Sequence, residues 1–344
     1  MDTTPLIHIR TRLLAILCIL LVVGLATCSS PNTPTPESQT PPPTITPTPP
    51  PLGHPAHPLV IGFVPDDPTA RQAEAQALAS ALSERTMLSV QTRLFESYRS
   101  LLEGLEKGSV HAAFLPPLTY IEAHEKGLAQ VELLANHFGV YFYGSMFLAN
   151  AESNFTRYFD PATNRSTAPA ETALQQLADL RPCWVEPTSI AGYLLPAALL
   201  KHHHIETLPG VIAQTPSAVV RALYIKGICD FGATFAISGD PRTASNVLGD
   251  LPDAEQRVII LWQTEPIIPN LNVSFHPQVS TVLRNAVAQS LSEIAGETEL
   301  NTVLTSLNNG YAIQAFKRVD DSVYDPLRET LSVLSLDLMD LLGR

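Results

Sequence analysis

Positive charge and catalytic signatures are what this chain most conspicuously lacks. Only 21 Lys and Arg stand against 33 Asp and Glu, a formal charge of -12. A surface able to neutralise nucleic-acid phosphates is therefore excluded, and no nucleic-acid partner is expected. There is no H-E-x-x-H, no P-loop, no G-x-S-x-G elbow and no C-x-x-C pair, so nothing points to catalysis, and neither a metal nor a cofactor is expected. The Lys201–Ile205 stretch "KHHHI" resembles no spaced ligand set, because consecutive His residues at a helix end point in different directions. Acidic residues after predicted strands, Asp66, Asp67 and Glu186, are equally ordinary turn chemistry.

A run long enough to span a bilayer is missing too. Leu13–Ala26 follows Arg10 and Arg12 and falls short of the roughly 20 apolar residues of a spanning helix, but it suits the core of an export signal. It ends in Leu25-Ala26-Thr27-Cys28, which resembles a bacterial lipobox. The resemblance implies a signal peptide over 1–27 and a lipidated Cys28; the alternative is an uncleaved signal anchor with an incidental cysteine. Residues 28–58 then carry 12 of the chain's 30 prolines, interleaved with Thr and Ser, the composition of a semi-rigid extended spacer.

From Leu59 short apolar runs alternate with amphipathic stretches. Strands are expected at Leu59–Val64, Ser89–Phe95, His111–Leu115 and Val131–His137, with helices over Thr69–Glu84, Tyr98–Lys107 and Pro117–Lys126 between them. A second series places strands at Cys183–Val185, Val211–Gln214, Phe231–Thr234 and Val258–Trp262. "YFYGSMFLAN" (Tyr141–Asn150) and "NVSFHP" (Asn272–Pro277) are the expected crossovers, and everything after Val279 reads as helix. The fold class is α/β with largely parallel sheets, arranged as two lobes: 59–145 with 275–344, and 146–274. The ligand is expected in the cleft at the carboxyl ends of the strands. Cys183 and Cys229 stand at the starts of two strands of the second lobe, either bonded or as two buried thiols.

Several ordered stretches carry a family resemblance: "IGFVPDDP", "YRSLLEGLEKGSVHAAFLPPLTYIEA" (Tyr98–Ala123), "PTSIAGYLLPAALL" (Pro187–Leu200), "GICDFGAT" (Gly227–Thr234), "EPIIPN" (Glu265–Asn270) and "VDDSVYDPLRE". The chain from Leu59 to about Arg328 resembles the phosphate, phosphite and phosphonate substrate-binding proteins of ABC transporters. This implies a two-lobed periplasmic-binding-protein-like fold that closes on a small, anionic ligand. It also implies a monomer that delivers to a membrane permease and is anchored through Cys28 at the outer face of the cytoplasmic membrane.

By the same resemblance the site uses a helix start, where free N–H groups and the helix dipole hold an anion. Thr188, Ser189, Ile190, Ala191, Gly192 and Tyr193 match that motif, with Ile190 and Ala191 replacing a Thr and a Ser of many relatives. Tyr98, Thr119 and Tyr120 match first-lobe positions, Tyr143 and Ser145 lie at the first crossover, and Thr234 and Asn270 complete the set. Pro216 stands where relatives place a His, and Leu271 where many have an amine-binding Asp. The resemblance implies a small oxyanion of the phosphonate, phosphite or phosphate class; the lost hydroxyls favour the alternatives, a sulfonate, an uncharged heterocycle, or a sensor or interaction module that has lost the site.

Overall fold

The computed structural model describes residues 49–342. The export-signal segment, Cys28 and residues 29–48 lie outside the described residues. No described helix is long and apolar enough to cross a membrane.

The first half runs β1 (Leu59–Phe63), α1 (Gln72–Thr86), β2 (Val90–Leu94), α2 (Tyr98–Glu106), β3 (Ala112–Leu115), α3 (Pro117–Glu125), β4 (Gln130–Asn136) and β5 (Phe142–Asn150). After a short β6–β7 hairpin (Phe159–Asp160, Arg165–Ser166) come α4 (Ala170–Leu174), β8 (Pro182–Trp184), α5 (Leu195–His202), β9 (Val211–Ile212), α6 (Pro216–Ile225) and β10 (Phe231–Ala236). Then follow α7 (Ser245–Leu248), α8 (Ala254–Arg257), β11 (Val258–Gln263), β12 (Ile268–Pro269), β13 (Asn272–Phe275), α9 (Thr281–Ala295) and α10 (Thr298–Leu307). β14 (Ala315–Arg318), α11 (Asp325–Ser332) and α12 (Leu338–Leu342) end the described chain.

Two sheets divide these strands. The first has the order β14-β4-β13-β3-β1-β2, with β1 parallel to β2 and β3 and β13 antiparallel to both β3 and β4. The second has the order β11-β5-β10-β8-β9, with β12 added to the start of β5. The chain leaves the first sheet after β4 and comes back to it in β13. Its sheets are mixed, since β5 and β13 both run against their neighbours.

Amphipathic spacing sets the helices. α1 presents Ala75, Leu78, Ala79 and Leu82 to the core of the first sheet, one helical face. It starts three residues later than Thr69 because Asp67 Oδ1 accepts from the N–H groups of both Thr69 and Ala70 at 3.0 Å, holding a turn there. Thr215 caps α6 by accepting from the Ala218 N–H at 3.1 Å, with Pro216 in the first turn.

Three findings alter the sequence reading. The segment after Val279 is not all helix, because Ala315–Arg318 forms β14, a half-exposed edge strand paired with β4. The last part of the presumed spacer is already structured: Gly53 accepts from Ser89 and Leu52 packs on the first core. Cys183 and Cys229 are bonded, with Cα atoms 5.7 Å apart, inside the core beneath α6. Denatured, unreduced protein should therefore titrate neither thiol; reaction of both would refute the bond.

His111, just before β3, is half-buried, and its Nδ1 accepts the Val60 N–H at 3.0 Å. Desolvation, followed by the nearby charges of His57 and His276, pulls its pKa down to about 4. In the unfolded chain a histidine titrates near pH ~6.5. Between these values the unfolded state holds the extra proton, so stability is full above about pH 6.5 and declines as the pH falls toward about 4. Urea midpoints across that window should drop, and His111→Asn should flatten the decline; an unchanged slope in the variant would clear His111 of the effect.

Candidate functional site

β8 ends at Trp184, and the chain turns through Glu186–Ser189 into a wide, π-helical turn, Ile190–Leu194, which continues as α5. Such turns recur at functional positions. Ser189 is the cap: its Oγ accepts from the Gly192 N–H at 3.1 Å, and its carbonyl accepts from Tyr193 and Leu194. Val185 donates its N–H to the Gly192 carbonyl at 3.1 Å, drawing the strand end onto the turn. The N–H groups of Ile190 and Ala191 have no partner among the described residues, although the two residues are only 8% and 4% exposed. These are orphan donors of a helix start, buried and facing away from their own helix.

Ser145 adds a second unmatched group. It sits in β5, fully buried, and its Oγ has no hydrogen-bond partner. Alternation along β5 sends Met146 and Leu148 to the α6 side and Phe147 to the side of Trp184 and Tyr193. Ser145 shares the face of Phe147, against which the π-helical turn packs.

Tyr98 is the first residue of α2, whose cap is Ser97. Burial, then the charge of nearby Asp66, raises the Tyr98 phenol, and burial pushes Tyr143 up to about 12. Both phenols therefore stay neutral at physiological pH. Tyr98, Tyr143, Tyr193 and Phe235 pack against one apolar cluster containing Ile190, Ala191, Leu118 and Tyr120. The structure thus brings the helix start together with first-sheet residues.

Of the remaining expected residues, Tyr120 and Asn270 spend their polar groups elsewhere. Tyr120 is fully buried and donates its hydroxyl to Asp321 Oδ1 at 2.8 Å, while its ring lies 4.3 Å from that of Tyr324. Asp321 is gripped in turn by Arg328 at 2.8 Å, which ties α11 to α3. Thr119 is buried in the first turn of α3. Thr234 Oγ1 makes a long contact of 3.4 Å with the Phe235 carbonyl. Asn270 donates to the Val140 carbonyl at 2.8 Å, clasping the two crossovers together. Thr188 is half-buried beside the cap.

The model of the ABC-transporter phosphonate periplasmic substrate-binding proteins matches residues 61–324. The chain belongs to that family. A search of curated protein sequences returns no match. Among solved structures, XAC2383 from Xanthomonas citri, with chloride bound, is 14% identical; the match covers 82% of this chain and 98% of that one, with a TM-score of 0.58. PhnD1 from Prochlorococcus marinus, in complex with methylphosphonate, is also 14% identical over 80% of this chain and 98% of its own, with a TM-score of 0.52. At such identities the likeness is one of fold, the two-lobed architecture of periplasmic binding proteins. The family is one of transport, and its members work outside the cytoplasm.

Within this family member, sequence reasoning passed over Thr264. Its Oγ1 accepts the Ser145 N–H at 3.0 Å and donates to the Glu265 carbonyl at 2.8 Å, fixing the strand beside the orphan hydroxyl. Thr264 directly precedes "EPIIPN", and that adjacency is its one sequence signal. Among the described residues, no group of three or more His, Cys, Asp and Glu is arranged to hold a metal ion.

Proposed function

We propose that this protein is the substrate-binding lipoprotein of an ABC importer, anchored by lipid on Cys28 to the outer face of the cytoplasmic membrane. It captures a small oxyanion of the phosphonate, phosphite or phosphate class between lobes 59–145 with 275–344 and 146–274. It acts as a monomer, binds without chemistry, and passes its ligand to the membrane permease. Closure follows because a ligand touching both lobes makes all its contacts only in the closed state.

One observation carries the ligand class: donors without partners, the N–H groups of Ile190 and Ala191 at a helix start and the buried hydroxyl of Ser145 on β5, a strand in contact with that turn. A buried donor left unpaired costs about 1–3 kcal/mol, and an anion offsets that cost without any Lys or Arg. Tyr98, Tyr143 and Thr188 are the flanking hydroxyls of this reading, and Tyr193 is part of its wall.

Ser145→Ala tests it. Removing an orphan hydroxyl should leave the unfolding free energy unchanged or raise it by up to about 1 kcal/mol. The thermal shift given by saturating phosphonate or phosphate should shrink in the same variant. An undiminished shift would take Ser145 out of the site. Mass spectrometry of the mature N-terminus tests the anchor, and an unmodified Cys28 would remove it.

A further inference from the structure

We propose that the cleft selects a singly charged oxyanion carried on a small apolar body and rejects the doubly charged form of the same group. The inference rests on the reading above, that the helix start at Ile190 and Ala191 holds the ligand.

The donors that this reading assigns to the site are all neutral: two backbone N–H groups, the Ser145 hydroxyl and the Tyr98 and Tyr143 phenols. The charged groups named on the surrounding elements are carboxylates, cations already engaged, or cations at the far end of α5. Glu186 lies exposed in the turn leading to the helix, Asp66 is exposed after β1, and Glu265 is exposed beyond Thr264. Asp66 is close enough to Tyr98 to raise its phenol, after burial itself. On the exit from β10, Asp240 is forked with Arg242. On α11, Arg328 is held by Asp321 and Asp325. Lys201 and His202 stand in the last turn of α5, the far end from the site. Lys317 of β14 has its ammonium on the faces of Tyr141 and Phe142, at 4.4 and 4.5 Å.

Charge counting then separates two ionisation states. The start of a helix supplies the equivalent of about half a positive charge, and neutral hydroxyls add dipoles, which together suit one negative charge. A second charge would be desolvated with no cation among the donors of this reading to meet it, and Glu186, Asp66 and Glu265 add only negative charge to the segments that carry those donors. Ile190 and Ala191 point the same way, since both bring apolar side chains to the turn. Apolar side chains there favour a carbon substituent on the ligand over further oxygens.

The test compares two ligands of similar shape on the full chain: methanesulfonate, singly charged throughout, and methylphosphonate, whose second proton leaves near neutral pH. By calorimetry both should bind at about pH 6, within about tenfold of each other. At about pH 9 methylphosphonate should weaken by about tenfold or more while methanesulfonate holds its affinity. The double variant Asp66→Asn/Glu186→Gln should shrink that loss, because it removes part of the repulsion. Methylphosphonate binding as tightly or more tightly at the higher pH would overturn the inference and leave the oxyanion site standing. A parallel loss for methanesulfonate would also overturn it, by placing the titration in the protein. Failure of both ligands at both pH values would remove the oxyanion reading itself, and this inference with it.

Discussion

Gly192→Ala should lower the unfolding free energy by about 2–3 kcal/mol and, on the proposed reading of the site, weaken binding of its oxyanion by about a hundredfold. A Cβ at this position would come within 2.3 Å of Val185 Cγ2 and 2.6 Å of Val185 Cβ. The second of these contacts matters more, because a Cβ cannot rotate away. Nor can the backbone retreat freely, since the Val185 N–H is bonded to the Gly192 carbonyl and the Gly192 N–H to Ser189 Oγ. Accommodation must therefore move the π-helical turn off the end of β8, and the N–H groups of Ile190 and Ala191 with it. Denaturant unfolding and calorimetry read the two effects separately. Val185→Ala should restore part of the lost stability when combined with Gly192→Ala; no recovery would mean that this contact is not the cause.

How much of this was legible in the sequence depends on the range of the interaction involved. The strand–helix alternation from Leu59 to Asn136 and the helix start at Thr188–Tyr193 are local, written in apolar spacing and in hydroxyls before an apolar run, and the structure has them within a few residues. β14 was not legible, because "AFKR" is half-exposed on both faces and has no alternation. It is a strand only because β4 offers an unpaired edge far away in sequence. The Cys183–Cys229 bond likewise depended on a distance that only folding sets.

The site divides along the same line. Ser145 could be placed near the first crossover from its neighbourhood in sequence, but its lack of a partner is a property of everything packed around it. Tyr120 shows the converse: matched to a cleft position, it proves to spend its hydroxyl on Asp321, a residue 201 positions along the chain. No pattern around "PPLTY" announces that partner. The wide turn at Ile190–Leu194 was also hidden, since apolar residues in succession suit α-helical and π-helical pitch alike.

Arg242→Ala should cost about 1–3 kcal/mol, because the hydrogen bonds of a buried guanidinium are lost while the Asp240 carboxylate left behind is 25% exposed and partly screened by water. Arg242 is only 7% exposed. Its Nε and Nη2 meet the two oxygens of Asp240 at 3.0 and 2.6 Å, and its Nη1 donates to the Val258 carbonyl at 3.0 Å. The guanidinium thereby joins the exit of β10 to the entry of β11. Between β10 and the fork lies Ile237 at φ 76°, a left-handed conformation that a β-branched residue adopts only under constraint. Strain of this kind is worth about 1–3 kcal/mol, so the turn persists because its flanks hold it: Ile237 packs on the second core and Arg242 fastens the far side. Replacing both partners, Arg242→Met with Asp240→Leu, should recover most of the loss, since no unpaired charge remains. If the double variant stays as unstable as Arg242→Ala, the turn depends on the directed hydrogen bonds of the guanidinium; recovery would show that the unpaired Asp240 carboxylate was the larger cost.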